Sequence, residues 1–170
     1  MKAEYLLNRE VELVLAALTP PNRLVMRTAL HTGLRISDVL QLRTEQLKPH
    51  FWVTEQKTGK ARQVGLPEPL LSDLKKAAGV RWVFEGRSPD HHRTRQAVWK
   101  DVKRAARAFR LNVNASPHSA RKVYAVELMQ KYGDIERVRR ALNHNSDSVT
   151  LIYAMADRQR AARAQRKKKS

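Results

Sequence analysis

The chain has 170 residues, no cysteine and a formal net charge of +18, from 34 Lys and Arg against 16 Asp and Glu. With 42% hydrophobic residues, this length suits one compact domain with a single core. The lack of cysteine excludes disulfides and thiolate metal sites, and no apolar run is long enough for a signal peptide or a membrane span. We therefore expect a cytoplasmic protein with a polyanionic partner, and nucleic acid is the leading class.

The positive charge is concentrated in the second half of the chain. Residues 1–85 hold 13 basic against 9 acidic residues, a net +4, whereas residues 86–170 hold 21 against 7, a net +14. Contacts with a polyanion are accordingly expected mainly in the second half.

The first half predicts three helices followed by a small sheet. Apolar spacing predicts a helix before the Pro-Pro pair, a second helix over about 21–31 closed by Gly33, and a short third one in 35–43. Residues 50–66 predict a β-hairpin that turns at Thr58-Gly59, because β-branched and aromatic residues surround that pair. A short helix at 67–79 and a third strand in RWVF, at 81–84, complete a sheet of about three strands. The predicted fold class is α+β, mainly helical.

The second half predicts more helices and one strongly basic face. Helices are expected over 94–111, over 116–133, which opens with Ser-Pro and closes at Gly133, and from Asp134 to about 144. The basic face of the 94–111 helix is either a solvated surface or a contact with the DNA backbone, and the charge of this half favours DNA. The basic residues predicted to contact DNA, here and in neighbouring segments, are Lys60, Arg62, Arg93, Arg95, Lys100, Lys103, Arg104, Arg107 and Lys122.

Two pairs of side chains have spacings that suit anion recognition. His118 and Arg121 stand three residues apart at a helix start, so both can face one ligand where the helix dipole favours negative charge. Arg35 and Asp38 have the same spacing, which would let the carboxylate hold the guanidinium for bidentate contact with oxygens.

A histidine and a tyrosine near the C-terminus predict a break between two helices. In one unbroken helix, His144 and Tyr153 would lie on opposite faces about 13 Å apart along the axis. If Asn145 turns the chain and Ser146 caps a new helix, both side chains could reach one substrate.

Four segments together resemble the catalytic domain of the tyrosine recombinase (phage integrase) family, across roughly residues 5–157. They are TGLRISDVLQLR, KTGKARQVGLP, HSARKVYAVEL and LNHNSDSVTLIYA, and their order and approximate spacing match that family. The resemblance implies an integrase-type fold and six catalytic residues: Arg35, Lys57 in the hairpin, His118, Arg121, His144 and the nucleophile Tyr153, with Asp38 in support.

The resemblance also implies how such a protein works. Tyr153 would attack a DNA phosphodiester, giving a 3′-phosphotyrosine, with double-stranded DNA as partner, a homotetramer on DNA, and no metal, nucleotide or other cofactor. The catalytic domain would span 1–157, and the basic tail at 158–170 would dock on a neighbouring subunit, bind phosphate or be disordered. This sequence has Asn143, Ala120 and Lys122 where the family usually has Gly, Leu and His.

Three further points stay open in the sequence. Most relatives carry a separate N-terminal clamp domain, so the chain is either a short member or a fragment. The alternative functions are a DNA-binding module of the same fold and a type IB topoisomerase-like enzyme. Lys60 is an alternative to Lys57 as the general acid, and His91-His92, in a loop, is interpreted as solvent-exposed or phosphate-facing and not as a metal site.

Overall fold

The computed structural model describes residues 3–142. The predictions for His144, for Tyr153, for the turn at 145–146 and for the tail at 158–170 lie outside the described residues. Within them, the mainly helical α+β prediction is confirmed. The elements are α1 (Asn8–Ala17), α2 (Pro20–Thr32), α3 (Ile36–Leu40), a 3₁₀ turn (Thr44–Gln46), β1 (His50–Thr54), β2 (Ala61–Gly65), α4 (Glu68–Ala77), α5 (Arg95–Ala108), α6 (Pro117–Tyr132) and α7 (Ile135–Ala141).

The helices begin and end at the local signals in the sequence. Helix α2 starts at a Pro-Pro pair and ends at Gly33, whose φ of 63° places it in the left-handed region. Helix α6 starts after Ser116 and ends at Gly133, also at φ 63°. The Asp134 side chain then caps α7 by accepting hydrogen bonds from the amides of Glu136 and Arg137.

The β-hairpin is the whole sheet within residues 3–142. Strands β1 and β2 pair antiparallel, with Thr54 opposite Ala61. Phe51 and Val53 of β1 are buried, whereas Trp52 between them is 64% exposed, as expected when one face of a hairpin covers a core.

The predicted third strand at 81–84 is corrected to an isolated bridge between Arg43 and Trp82. The Arg43 guanidinium carbon lies 3.6 Å from the centre of the Trp82 ring, a cation–π contact. The Trp82 carbonyl accepts from the Gly79 amide at 3.0 Å, so its backbone closes a local turn rather than extending a ladder.

The core surrounds α2, which contacts α1, α3, α4, α5, α6 and β2. Helix α5 contributes Val98, Val102, Ala105 and Ala106 to this core, and Phe109, just after its last residue Ala108, is 41% exposed. A smaller cluster of Ala125, Val138 and Leu142 joins α6 to α7.

A buried carboxylate on α5 ties this helix to the junction between α1 and α2. Asp101 accepts hydrogen bonds from the Thr19 amide at 3.0 Å, the Thr19 hydroxyl at 2.7 Å and the Asn22 side chain at 2.7 Å. Burial alone would raise the pKa of Asp101, but the hydrogen bonds from Asn22, Thr19 and Arg104 lower it to about 2.

Between residues 3 and 142, no helix combines the length and the apolar character needed to cross a lipid bilayer.

Candidate active site

Two of the predicted catalytic residues line one open cleft of about 360 Å³. Arg35 lies immediately before α3, and His118 lies in the first turn of α6. The opposite wall comes from the start of α5, where Arg95 and Trp99 line the same cleft. The fold therefore brings an arginine and a histidine from distant segments to one solvent-accessible place.

Positive charges from several elements act on His118. Desolvation in the cleft lowers the pKa of His118, and the positive charges of Arg121, Lys122, Arg35 and Lys57 lower it further. A histidine with a pKa below its usual value is neutral at neutral pH, so one ring nitrogen can accept a proton.

Arg121 is buried beneath this cleft, with 4% of its surface exposed. Its Nη1 donates to the Gly33 carbonyl at 2.6 Å, and its Nη2 donates to the Leu142 carbonyl at 2.5 Å. Burial and the charge of Arg35 lower the pKa of Arg121 to about 10, at which it still carries its charge at neutral pH. Arg121 thus adds positive charge beneath the cleft and ties the end of α2 to the end of α7.

Arg35 pairs with a carboxylate that the sequence pattern did not predict. Its Nη1 forms an ion pair with Glu55, in place of the expected pair with Asp38. The physical reason is that Arg35 precedes α3 in an extended conformation, so the i to i+3 geometry of a helix does not apply to its side chain.

Asp38 lies buried near this pair. One of its carboxylate oxygens, Oδ1, accepts from the Gln56 amide at 3.1 Å, and Oδ2 has no hydrogen-bond partner among residues 3–142. Burial raises the pKa of Asp38, against a lowering by that hydrogen bond. Asp38 therefore binds the start of the β-hairpin loop, and it interacts with Arg35 through charge and not through a direct ion pair.

Glu55 was missed, although the sequence contains a signal for it. It follows β1 at the position that continues the alternation of buried Phe51 and Val53, and it is fully buried. An acidic residue at an inward position of a strand needs a cationic partner, and the predicted arginines supply one.

Lys57 lies exposed in the loop between β1 and β2. The Glu55 amide donates to the Lys60 carbonyl at 3.0 Å, and the Gly59 amide donates to the Glu55 carbonyl at 2.8 Å, so the loop is closed by backbone hydrogen bonds. Gly59, at φ 65°, supplies the left-handed turn residue that the sequence predicted.

At least five of the nine basic residues predicted to contact DNA bind other residues of the protein. Arg62, whose side chain is 10% exposed, binds Glu55; Arg93 binds Asn22; Lys103 binds Asn114; Arg104 binds Asp101; and Lys122 binds the Ala3 carbonyl. Arg95, Lys100 and Arg107 are exposed on α5 and have no ionic or hydrogen-bond partner among the described residues. The basic surface is therefore narrower than the sequence suggested, because charge counts do not reveal partners.

No group of three or more His, Cys, Asp or Glu side chains is arranged for metal binding in the described part of the chain. Such a group is what a protein metal site needs.

Residues 4–160 match the sequence model described as the phage integrase family. The chain belongs to the phage integrase family. The match spans all six residues that the resemblance assigns to catalysis, although His144 and Tyr153 lie outside the described residues.

Curated members of the phage integrase family include two proteins about one-third identical to the chain. A probable integrase/recombinase YoeC of Bacillus subtilis is 31% identical over 75% of this chain and 74% of its own length. A tyrosine recombinase of Thermosipho africanus is 32% identical over 88% of this chain and 56% of its own length. The chain thus spans little more than half the length of the second relative.

Solved structures show the same fold. A XerH site-specific recombinase bound to palindromic difH substrate matches 95% of this chain and 51% of its own length, with a TM-score of 0.73 and 24% identity. A lambda integrase dimer bound to a COC′ core site matches 92% of this chain and 48% of its own, with a TM-score of 0.75 and 20% identity. The integrase-type fold predicted from the sequence is thereby confirmed.

Proposed function

We propose that this chain is the catalytic part of a site-specific DNA recombinase that cuts and rejoins DNA strands through a covalent tyrosine intermediate. The observation that carries the proposal is the cleft lined by Arg35 and His118, with Arg121 buried beneath it. The positive charge of Lys57 also lowers the pKa of His118. The catalytic unit spans 1–157 and works in the cytoplasm, without a nucleotide, metal or other cofactor.

In the proposed reaction, the hydroxyl oxygen of Tyr153 attacks the phosphorus of a DNA phosphodiester. The bond to the 5′-oxygen of the next nucleotide breaks, which leaves a 3′-phosphotyrosine and a free 5′-hydroxyl. Attack by the 5′-hydroxyl of a second strand reverses the step and releases Tyr153. The phosphoester bond energy stays in the covalent link, so no external energy source is required.

Each cation has a distinct role around the phosphate. Arg35 and Arg121 stabilise the negative charge that develops on the non-bridging oxygens, where one well-placed donor is worth about 10²–10³ in rate. His118 accepts the tyrosine proton, a role that its lowered pKa supports. His144 donates a hydrogen bond to the phosphate.

Lys57 is the general acid that protonates the departing 5′-oxygen, a contribution of roughly 10²–10⁴ in rate. Lys57 takes this role because it is the hairpin lysine of the resemblance and its positive charge reaches His118; Lys60 is the alternative. The exposed residues Arg95, Lys100 and Arg107 hold the DNA backbone along α5, beside the cleft. We further propose assembly as a tetramer on DNA, since one structural relative is a lambda integrase tetramer bound to a Holliday junction.

Covalent trapping on a library of substrates tests this function even while the target site is unknown. Duplexes with randomised arms and a nick near the centre release a short fragment on cleavage, so that the protein stays attached to the DNA. Adducts that survive denaturation are recovered and sequenced for wild type and Tyr153→Phe. Tyr132→Phe, at an exposed tyrosine at the end of α6, is the matched control.

The proposal expects adducts on one family of sequences with wild type and Tyr132→Phe, and none with Tyr153→Phe. DNA binding with a steep salt dependence but no adduct in any of the three proteins would indicate a binding module. Adducts without sequence preference, together with relaxation of supercoiled DNA by a monomer, would indicate a topoisomerase-like enzyme.

A further inference from the structure

The Glu55 carboxylate is the centre of a buried cluster of arginines. It is fully buried, forms an ion pair with Arg35, and lies 3.2 Å from Nε of Arg62 and 3.8 Å from Nη1 of Arg121. Without a carboxylate among them, three guanidinium groups at this distance would repel one another. Glu55 is therefore what allows Arg35 and Arg121 to occupy the same small region.

Glu55 leaves part of Arg35 available to the cleft. Oε2 of Glu55 accepts a hydrogen bond from Nη1 of Arg35 alone, while Oε1 of Glu55 lies beside Arg62 and Arg121. The Nε and Nη2 groups of Arg35 have no hydrogen-bond partner among the described residues, and Arg35 lines the open cleft. One end of the guanidinium is thus fixed while the other can bind an anion.

Arg62 extends the cluster to two helix ends. Its Nε binds Glu55, its Nη2 donates to the Thr32 carbonyl at the end of α2 at 2.7 Å, and its Nη1 donates to the Ala141 carbonyl at the end of α7 at 2.6 Å. These contacts use all three nitrogens of the guanidinium, a bonding pattern that a lysine or a neutral side chain cannot reproduce.

Two consecutive carbonyls at the end of α7 are held by the same cluster. Arg62 binds the Ala141 carbonyl, and Arg121 binds the Leu142 carbonyl. We propose that Glu55 and Arg62 are positioning residues of the DNA-cleaving centre: Glu55 holds the side chains of Arg35 and Arg121 in place beside each other, and Arg62 fixes the point from which the chain continues towards Tyr153. This inference rests on the proposed function.

The first test replaces Glu55 by its neutral isostere. Glu55→Gln and the control Glu68→Gln, at an exposed residue in the first turn of α4, remove the same charge. Both variants are measured for DNA affinity, thermal unfolding and single-turnover adduct formation on the site found by trapping. We expect Glu55→Gln to bind DNA within about threefold of wild type and to form adduct about 10–100-fold more slowly, because a misplaced catalytic donor costs rate at that scale.

A modified substrate separates positioning of the arginines from general damage to the fold. In a methylphosphonate link, a methyl group replaces one non-bridging oxygen, so less negative charge develops for the arginines to stabilise. The ratio of the wild-type rate to the Glu55→Gln rate is expected to fall at least fivefold on this substrate. An unchanged ratio would mean that Glu55 does not act through Arg35 and Arg121, and would overturn its assigned role.

The second test has a readout that does not depend on activity. Arg62→Met removes the anchor on Ala141, and Arg140→Met removes the same charge from an exposed position of α7. Hydrogen exchange of the amides at 138–142 is expected to speed up about tenfold or more in Arg62→Met and to stay within about twofold in Arg140→Met. Equal exchange in the two variants would refute the anchoring role of Arg62.

The failure of this inference is distinguishable from failure of the proposed function. If wild type forms no covalent adduct on any substrate, the proposed function fails, and the positioning role for catalysis fails with it. If wild type forms adduct and Glu55→Gln forms it equally fast, the function stands and only the further inference is refuted.

Discussion

Replacing Gly33 by alanine should destabilise the protein more than replacing Gly133, a glycine with the same backbone conformation but no neighbouring side chain. Gly33 has φ +63°, and a Cβ there would lie 2.2 Å from Cδ1 of the Tyr124 ring. The left-handed conformation costs a non-glycine residue about 1–2 kcal/mol. Forcing the ring aside adds about 1–3 kcal/mol, the usual range for overpacking. The expected total is about 2–5 kcal/mol.

Gly133 provides the matched control, because it has the same φ of +63° and no atom within 4 Å of the place where a Cβ would lie. Gly133→Ala should therefore lose only the backbone contribution of about 1–2 kcal/mol. Thermal unfolding measures both, and a chain of this size loses about 2–4 °C per kcal/mol. We expect a decrease in Tm of about 4–20 °C for Gly33→Ala and about 2–8 °C for Gly133→Ala, with the larger decrease always at Gly33.

A third variant locates the origin of the difference. In a Tyr124→Ala background, which removes the ring, the further loss from Gly33→Ala should fall to that of Gly133→Ala. If the two glycine variants lose equal stability, or if the loss at Gly33 is unchanged without the ring, the close contact with Tyr124 does not determine the cost. Because the Gly33 carbonyl also accepts from Arg121, adduct formation should decrease together with stability.

Three further predictions concern pH and salt. Asp101 has a folded pKa of about 2 against 3.8, so it contributes stability above pH 3.8 that is lost as the pH falls towards 2; Asp101→Asn should lose about 2 kcal/mol at pH 7, and urea unfolding should show this difference disappearing in acid. If His118 is the base, adduct formation at limiting DNA should be half-maximal below pH 6.5, and His118→Gln should abolish that acid limb; a midpoint above 6.5 in wild type would contradict the role. Lys100→Gln should reduce the slope of log Kd against log salt concentration by about 1, because the exposed Lys100 contacts a phosphate. Arg104→Gln, which breaks the ion pair with Asp101, should leave this slope unchanged. Equal slopes for the two variants would refute the assignment of Lys100, and not Arg104, to DNA contact.

The parts of the fold that the sequence predicted are those determined by neighbouring residues. Gly33, Gly133 and Asp134 mark helix ends through local backbone geometry and capping, so their roles follow from the sequence without knowledge of the fold. The prediction of a strand at 81–84 was wrong, because this segment pairs with residues 42–44 only through a single bridge between Arg43 and Trp82, which are far apart in the chain. Strand propensity gives no information on such a contact.

In the candidate site, too, the sequence predicted the residues that belong to motifs but not the contacts that depend on packing. The motifs indicated Arg35, His118 and Arg121 because residue type and order carry the family resemblance. They did not indicate that Arg35 pairs with Glu55, since that pair depends on how the hairpin packs against the start of α3. Nor could they show that the guanidinium of Arg62 binds groups inside the protein, because a basic residue in a strand beside a loop looks the same in sequence whether it faces DNA or a carbonyl.

Asp101, anchored on the junction between α1 and α2, also determines how the cleft would receive a duplex. It lies six residues after Arg95 on the same helix, so the cleft wall formed by α5 is fixed about 9 Å from its attachment point. These contacts hold that wall against the junction between α1 and α2. With this wall held in place, a duplex that enters the cleft would have to adjust its own shape, so target choice would depend on how readily a given base sequence bends, in addition to any bases that are touched.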